Sequence, residues 1–379
     1  MSYQESYDLI EKSIQLEPVD RIPVVYMGTA FAPRYMGMSI ARYCADPEAS
    51  LEVTLAAVDR LDTFAGGVDG VNLPGGGNIA PALTGLWLSH IDVPGRELPE
   101  DSLWQVREEE VMTVEDYDTI IEQGWGAFFM QYLPRVIDVA QFGEAMGWMA
   151  ANQERVQRLH QEHGYVIVCD ARGVNVNIPF EPLCGGRSMA QFFLDLYRIP
   201  DKVEAAMKVI QTETLAGIEA YDGQHGIGGT WIGGWRSASA MLAPKLWDRF
   251  VWPYIVELVE ALVAKDITPV LHWDHDWTRD LGRLRELPAK KCILNPDGMT
   301  DVRKFKELAG DRMAMMGDVP ATLFAAGTPD DIHEYVRDLV RDVGPTGLIL
   351  CPGCDAPINT KPENMEAFVE AAHEYGTLA

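Results

Sequence analysis

Eight short apolar runs, each separated from the next by a helix-like or polar stretch, constrain this chain more than any other feature. They are Ile22–Gly28, Val68–Leu73, Tyr165–Asp170, Ile227–Ile232, Thr268–Trp273, Cys292–Pro296, Met313–Gly317 and Leu348–Cys351. Runs of four to eight residues that do not alternate with polar ones suit strands buried on both faces. Amphipathic segments at Pro47–Leu61, Asp201–Tyr221, Pro244–Lys265, Asp301–Leu308 and Pro329–Val343 lie between them. Strand and helix in repeated alternation imply parallel pairing through right-handed crossovers. Eight such units predict an α/β fold, a (β/α)8 TIM barrel, over residues 1–379 as a single domain. With 47% hydrophobic and 23% charged residues the chain can fill a core of that size.

One interval exceeds an ordinary crossover. Between strands two and three, about residues 75–164, an acidic stretch (Glu97–Glu122) precedes an aromatic one (Trp125–Trp148). A helical insertion is expected there, as a cap over the rim or an oligomer surface that would permit a homodimer. Its aromatics Trp125, Phe128, Phe129, Tyr132, Phe142 and Trp148 either line a pocket or pack the insertion onto the barrel.

Charge and composition exclude several classes. A formal charge of −26 argues against nucleic acid, whose phosphates would be repelled. No apolar run nears the ~20 residues of a membrane-spanning helix. Met1–Glu5 shows no basic segment leading into an apolar core, so a cytoplasmic protein is expected. Six cysteines in 379 residues are too sparse for a disulfide framework, and Cys44, Cys169, Cys184 and Cys292 read as buried thiols.

Chemistry concentrates where strands end. His272-Trp273-Asp274 follows Pro269-Val270-Leu271, and Cys351-Pro352-Gly353-Cys354 follows Gly347–Leu350. Active sites of parallel α/β folds lie at the carboxyl ends of strands. Residues two apart on a strand point the same way, so His272 and Asp274 share a face and Trp273 points away. Together with Cys354 they are a candidate Zn2+ set of three ligands with a fourth position free. The bland alternative is a hydrogen-bonded histidine and a buried thiol. Cys351 and Cys354 could also form a redox or zinc pair, although Cys351 lies within the apolar run. His275 is either a proton carrier beside the site or a solvated loop residue. Asp69, Asp170, Asp297 and Asp318 also end apolar runs, as rim carboxylates or as helix caps and loop anchors. Gly228–Arg236, with Trp231 and Trp235, offers backbone amides and stacking surface for a substrate. No phosphate loop, His-Glu-x-x-His helix, nucleophile elbow or dinucleotide fingerprint is present.

Several pieces in a fixed order resemble the uroporphyrinogen decarboxylase superfamily across nearly the whole chain. They are Asp20-Arg21-Ile22-Pro23-Val24, Val68-Asp69-Gly70-Val71, Pro179-Phe180 with Cys184-Gly185-Gly186, and Leu242-Ala243-Pro244 with Trp252-Pro253-Tyr254. Gly317-Asp318-Val319-Pro320 with Gly327-Thr328-Pro329, and Pro352-Gly353-Cys354 with Pro362-Glu363-Asn364, complete the series. The resemblance implies a barrel with its pocket at the C-terminal rim. Decarboxylases of this superfamily carry an Arg-Gln-Ala-Gly-Arg-Tyr run after the first strand. Here the stretch is Thr29–Tyr35, where of the two arginines only the second survives, as Arg34, and a polycarboxylate substrate suits a −26 protein poorly.

The corrinoid (cobalamin)-dependent methyltransferase branch of the superfamily places zinc on His-x-Cys and a distant Cys in a Pro-Gly-Cys turn. His272 matches the histidine and Cys354 the distant cysteine, while Asp274 replaces the middle cysteine. Aspartate keeps the thiolate's charge but donates less, leaving a stronger Lewis acid. The resemblance therefore implies a methyltransferase (an O-demethylase component) in which zinc polarises an O-methyl oxygen, as in a methoxyaromatic. The Co(I) corrinoid of a partner protein would take the methyl group. The chain has no corrinoid-binding Asp-x-His-x-x-Gly motif of its own. Asp69, His275 and Asp318 are the expected catalytic residues, and Arg34, Trp231 and Trp235 the expected substrate contacts. The alternatives are a methylcorrinoid:thiol methyltransferase, a metal-free decarboxylase of a small acid using Arg34 and Asp69, and a non-catalytic binding protein.

Overall fold

Each of the eight apolar runs forms a parallel strand. The computed structural model describes residues 2–64, 66–170, 176–223 and 225–377. Its strands are β1 (Val25–Tyr26), β2 (Gly70–Asn72), β3 (Ile91–Asp92), β4 (Gln105–Val106), β5 (Val166–Cys169), β6 (Gly226–Gly234), β7 (Ile267–Trp273), β8 (Ile293–Pro296), β9 (Ala314–Val319) and β10 (Leu348–Pro352). The order runs β1-β2-β5 in one sheet and β10-β9-β8-β7-β6 in the other. A parallel bridge between Val24 and Leu350 joins the two sheets on one side. There the Leu350 N–H donates to the Pro23 carbonyl at 2.9 Å. On the other side β5 lies beside β6. The result is a (β/α)8 barrel with β3 and β4 outside it.

Alternation along the strands separates two cores. Val25, Val166, Val270, Ile293, Met316 and Ile349 fill the lumen. Leu271, Trp273, Leu294, Met315, Leu348 and Leu350 point outward into the larger core beneath the helices. Ile10 and Ile14 of the first helix, Tyr3–Ile14, join the lumen cluster. The helix thereby stoppers the barrel's N-terminal end, and the lumen turns polar only near the opposite rim.

The helices begin where their capping residues dictate. Asp46 accepts the Ala49 N–H at 3.1 Å ahead of Pro47–Asp62. Thr328 and Asp331 form a capping box at the start of Pro329–Asp342. The helix read over Pro244–Lys265 is in fact two, Pro244–Phe250 and Trp252–Ala264, with Val251 between them at φ −124°. Pro253 explains the break: it has no N–H for the carbonyl four residues back, and its ring clashes there.

Between β2 and β5 the chain forms helices Ile79–Trp87, Glu115–Gln123, Trp125–Tyr132 and Val139–Glu162, plus the antiparallel β3–β4 ribbon that periodicity missed. Two residues per strand are too few to leave a period. The aromatics of this segment pack on one another: Trp125 lies 5.7 Å from both Phe128 and Phe129, and Phe129 lies 6.0 Å from Phe142. Buried arginines hold the acidic stretch. Arg187 bonds Glu110 at 2.6 Å, and Arg236 pairs with Glu108 at 2.8 Å.

Candidate metal centre

Asn72, His272 and Asn295 end the apolar lumen with a polar layer, all three buried. His272 and Asn295 are register partners across β7 and β8. Beyond His272, the Asp274 N–H donates to the Gly234 carbonyl at 2.8 Å, keeping the chain strand-like for two more residues. Cys354 arrives from β10 through the Pro352-Gly353 turn. Gly353 is required there, because a Cβ would come within 2.8 Å of the Asp297 backbone carbon.

The three side chains converge. His272 Nε2 lies 3.3 Å from Asp274 Oδ1 and 3.7 Å from Cys354 Sγ. All three ligand atoms lie within 4.8 Å of one another, the single group of this kind among the described residues. A tetrahedral zinc with bonds of about 2.0 Å to nitrogen and oxygen and about 2.3 Å to sulfur would hold N and O about 3.3 Å apart and N and S about 3.5 Å apart. The spacing and the donor set both fit such an ion.

Proton affinities follow from the crowding. Burial opposes a charge on His272, but the Asp274 carboxylate overrides it and raises the imidazole's pKa. Burial likewise opposes charge on Asp274, yet His272 holds its carboxyl below the usual range. Burial, reinforced by Asp274 and Asp355, pushes the Cys354 thiol well up. Without a cation the thiol is neutral.

Around this centre, Trp231 lies with its ring 4.6 Å from that of His272. Trp235 meets Trp87 edge-on at 5.4 Å, and Glu181 accepts its backbone N–H at 3.0 Å. His275 is exposed, at φ 72°, and its Nδ1 accepts the Asp276 N–H at 2.7 Å. Asp318 ends β9, but its carboxyl turns to Tyr335, whose hydroxyl donates at 3.0 Å. Two expected residues are not brought here. Asp69 precedes β2, three residues before Asn72 and so about 10 Å lower at 3.3 Å per residue; it is held by Arg21 at 2.7 Å. Arg34 is half exposed and pairs with Asp101 of the β2–β5 segment at 3.2 Å.

Three residues went unread from sequence alone. Asn295 Oδ1 lies 2.7 Å from His272 Nδ1. Asn72 Nδ2 donates to that same oxygen at 3.3 Å. The Asp355 carboxylate accepts the N–H groups of Thr29 and Ala30, tying the loop after β10 to the loop after β1. A signal existed for the asparagines: each occupies an inward slot of an otherwise apolar strand.

The profile described as Uroporphyrinogen decarboxylase (URO-D) matches residues 182–375, just over half of the chain. The chain belongs to the uroporphyrinogen decarboxylase family. Curated relatives carrying that name include one from Christiangramia forsetii, 29% identical over 140 residues, 37% of this chain and 39% of the relative. The one from Danio rerio is 27% identical over 48% of this chain and 49% of its own length, so the chain spans less than half of these two relatives. The one from Trichlorobacter lovleyi is 25% identical over 94% of this chain and 95% of the relative. Among solved structures, a methyltransferase from Methanosarcina mazei superposes with a TM-score of 0.67 over 98% of both chains. At 17% identity that likeness speaks for the fold alone. Among the described residues no helix is long and apolar enough to cross a membrane.

Proposed function

We propose that this family member is a methyltransferase moving a methyl group between a small substrate and the corrinoid cobalt of a partner protein. O-methyl compounds such as methoxyaromatics are the favoured donors. The observation that carries the reading is the convergence of His272, Asp274 and Cys354 at zinc-ligand spacing. Zinc held by these residues would supply a Lewis acid with one open position for a substrate heteroatom.

The chain's own residues define the rest. One thiolate and one carboxylate balance a divalent charge while imidazole adds none. Trp231, packed against His272, gives the pocket an apolar wall that excludes water and suits an aryl ring. His275, exposed beside Asp274, would return a proton to a departing oxygen through solvent. The solved methyltransferase shares this fold, which agrees with the reading.

The test is direct. Purified protein should carry about one zinc per chain by elemental analysis, lost in His272→Ala and Cys354→Ser. Mixed with a reduced corrinoid protein and a methoxyaromatic, it should give the absorbance change of a methylated corrinoid. No transfer across a panel of O-, N- and S-methyl donors would refute the reading.

The full-length decarboxylase relatives favour a second reading, a lyase acting on a small carboxylic acid. It predicts carbon dioxide release that survives chelation.

A further inference from the structure

We infer that Asn295 is a positioning residue that sets which nitrogen of His272 is free to bind a metal, with the Met316 carbonyl fixing the orientation of Asn295. The inference rests on the metal reading above and concerns residues that do not touch the ion's position. An imidazole can present either nitrogen, and the choice is made by what the other one bonds to. Here Nδ1 faces Asn295 Oδ1 at 2.7 Å, and Nε2 faces Asp274 and Cys354.

The direction of that hydrogen bond depends on which end of the Asn295 amide faces the ring. The Met316 carbonyl decides it, and the Asn72 amide agrees. Asn295 Nδ2 donates to the Met316 carbonyl at 2.7 Å, and a carbonyl can only accept. Asn72 Nδ2, a donor, approaches Asn295 Oδ1 at 3.3 Å. Reversing the amide would set an N–H2 against Asn72's N–H2 and an oxygen against a carbonyl. Oxygen therefore faces His272 and Nδ1 carries a hydrogen and donates it, which leaves Nε2 as the nitrogen that can give up its proton to a cation held with Asp274 and Cys354. Asn295 is fully buried, so water offers no substitute acceptor. Strand pairing fixes its place, since it is the register partner of His272.

The experiment measures Zn2+ affinity by chelator competition, and the visible spectrum of the Co2+-substituted protein, in wild type and in Asn295→Leu, Asn295→Ala and Asn295→Asp. Leucine and alanine remove the acceptor, and aspartate restores one. Zinc affinity is expected to fall 10- to 100-fold in the first two, with a Co2+ spectrum altered from the tetrahedral thiolate pattern. Asn295→Asp keeps an acceptor for Nδ1, but its second oxygen can face the Met316 carbonyl only as a protonated hydroxyl, so its affinity should fall between the alanine variant and wild type. Thermal midpoints of the metal-free proteins separate loss of fold from loss of positioning, and Asn295→Ala serves if the leucine variant does not fold. Wild-type affinity and spectrum in Asn295→Leu or Asn295→Ala would overturn the inference. A wild-type protein that takes up no zinc sinks the metal reading and this inference together. Wild-type uptake with unaffected variants sinks this inference alone.

Discussion

His272 and Cys354 both hold protons that a divalent ion must displace. The imidazole's pKa is raised by Asp274 and the thiol's by burial. Zinc affinity should therefore rise with pH, by up to about two log units per unit where both groups are protonated. Competition with a chelator of known proton affinity measures that slope, and a flat profile contradicts it. Asp318 makes a separate prediction. Burial pushes its pKa up to about 7, with the Tyr335 hydroxyl and the Arg303 charge opposing. Between the usual carboxylate pKa and 7 the folded protein holds a proton that the unfolded chain has released, so stability falls as pH rises through that window. The cost, from a shift of roughly three units, is on the order of 4 kcal/mol. Asp318→Asn should flatten the pH dependence of urea unfolding between about pH 4 and 7 by one proton. An unchanged profile would count against it. At this scale the convergence of His272, Asp274 and Cys354 was legible, because His, Asp and Cys at strand ends stand out in apolar surroundings. Asn295 was not, since its role appears only once its partner across the ladder is known.

The turn after β10 shows how much one element's backbone decides. Gly353 packs against the Asp297 backbone, and Gly353→Ala would drive a methyl group into it. The overpacking should cost roughly 1–3 kcal/mol, seen as a lower urea midpoint, and should loosen Cys354 and weaken zinc uptake. Unaltered stability and uptake would show that the turn can yield. All eight barrel strands were legible because each is covered on both faces and so reads as an unbroken apolar run. The exceptions have local causes. Pro253 splits one apparent helix in two, and the two-residue strands β3 and β4 are too short to carry a period. Asp69 shows a subtler limit. A reading accurate to a few residues finds its strand but cannot say which end of it the residue occupies, and three residues move it from the rim to a buried pair with Arg21.

The whole barrel was legible from the number and alternation of its units. What stoppers its lower end was not, because the first helix looks like any amphipathic one until the ring closes around Ile10 and Ile14. Both side chains are buried, at 0% and 4% exposure. Ile10→Ala should cost about 2–4 kcal/mol, read from denaturant unfolding, whereas a loss under 1 kcal/mol would mean the lumen does not depend on that plug. The stopper also bears on traffic. A vessel sealed beneath has one doorway, and for the proposed transfer two visitors of unequal bulk must share it. Under that proposal the small methyl compound would have to arrive first, before the protein bringing the cobalt covers the mouth, so arrival in compulsory order, with excess partner acting as an inhibitor, would be its kinetic signature.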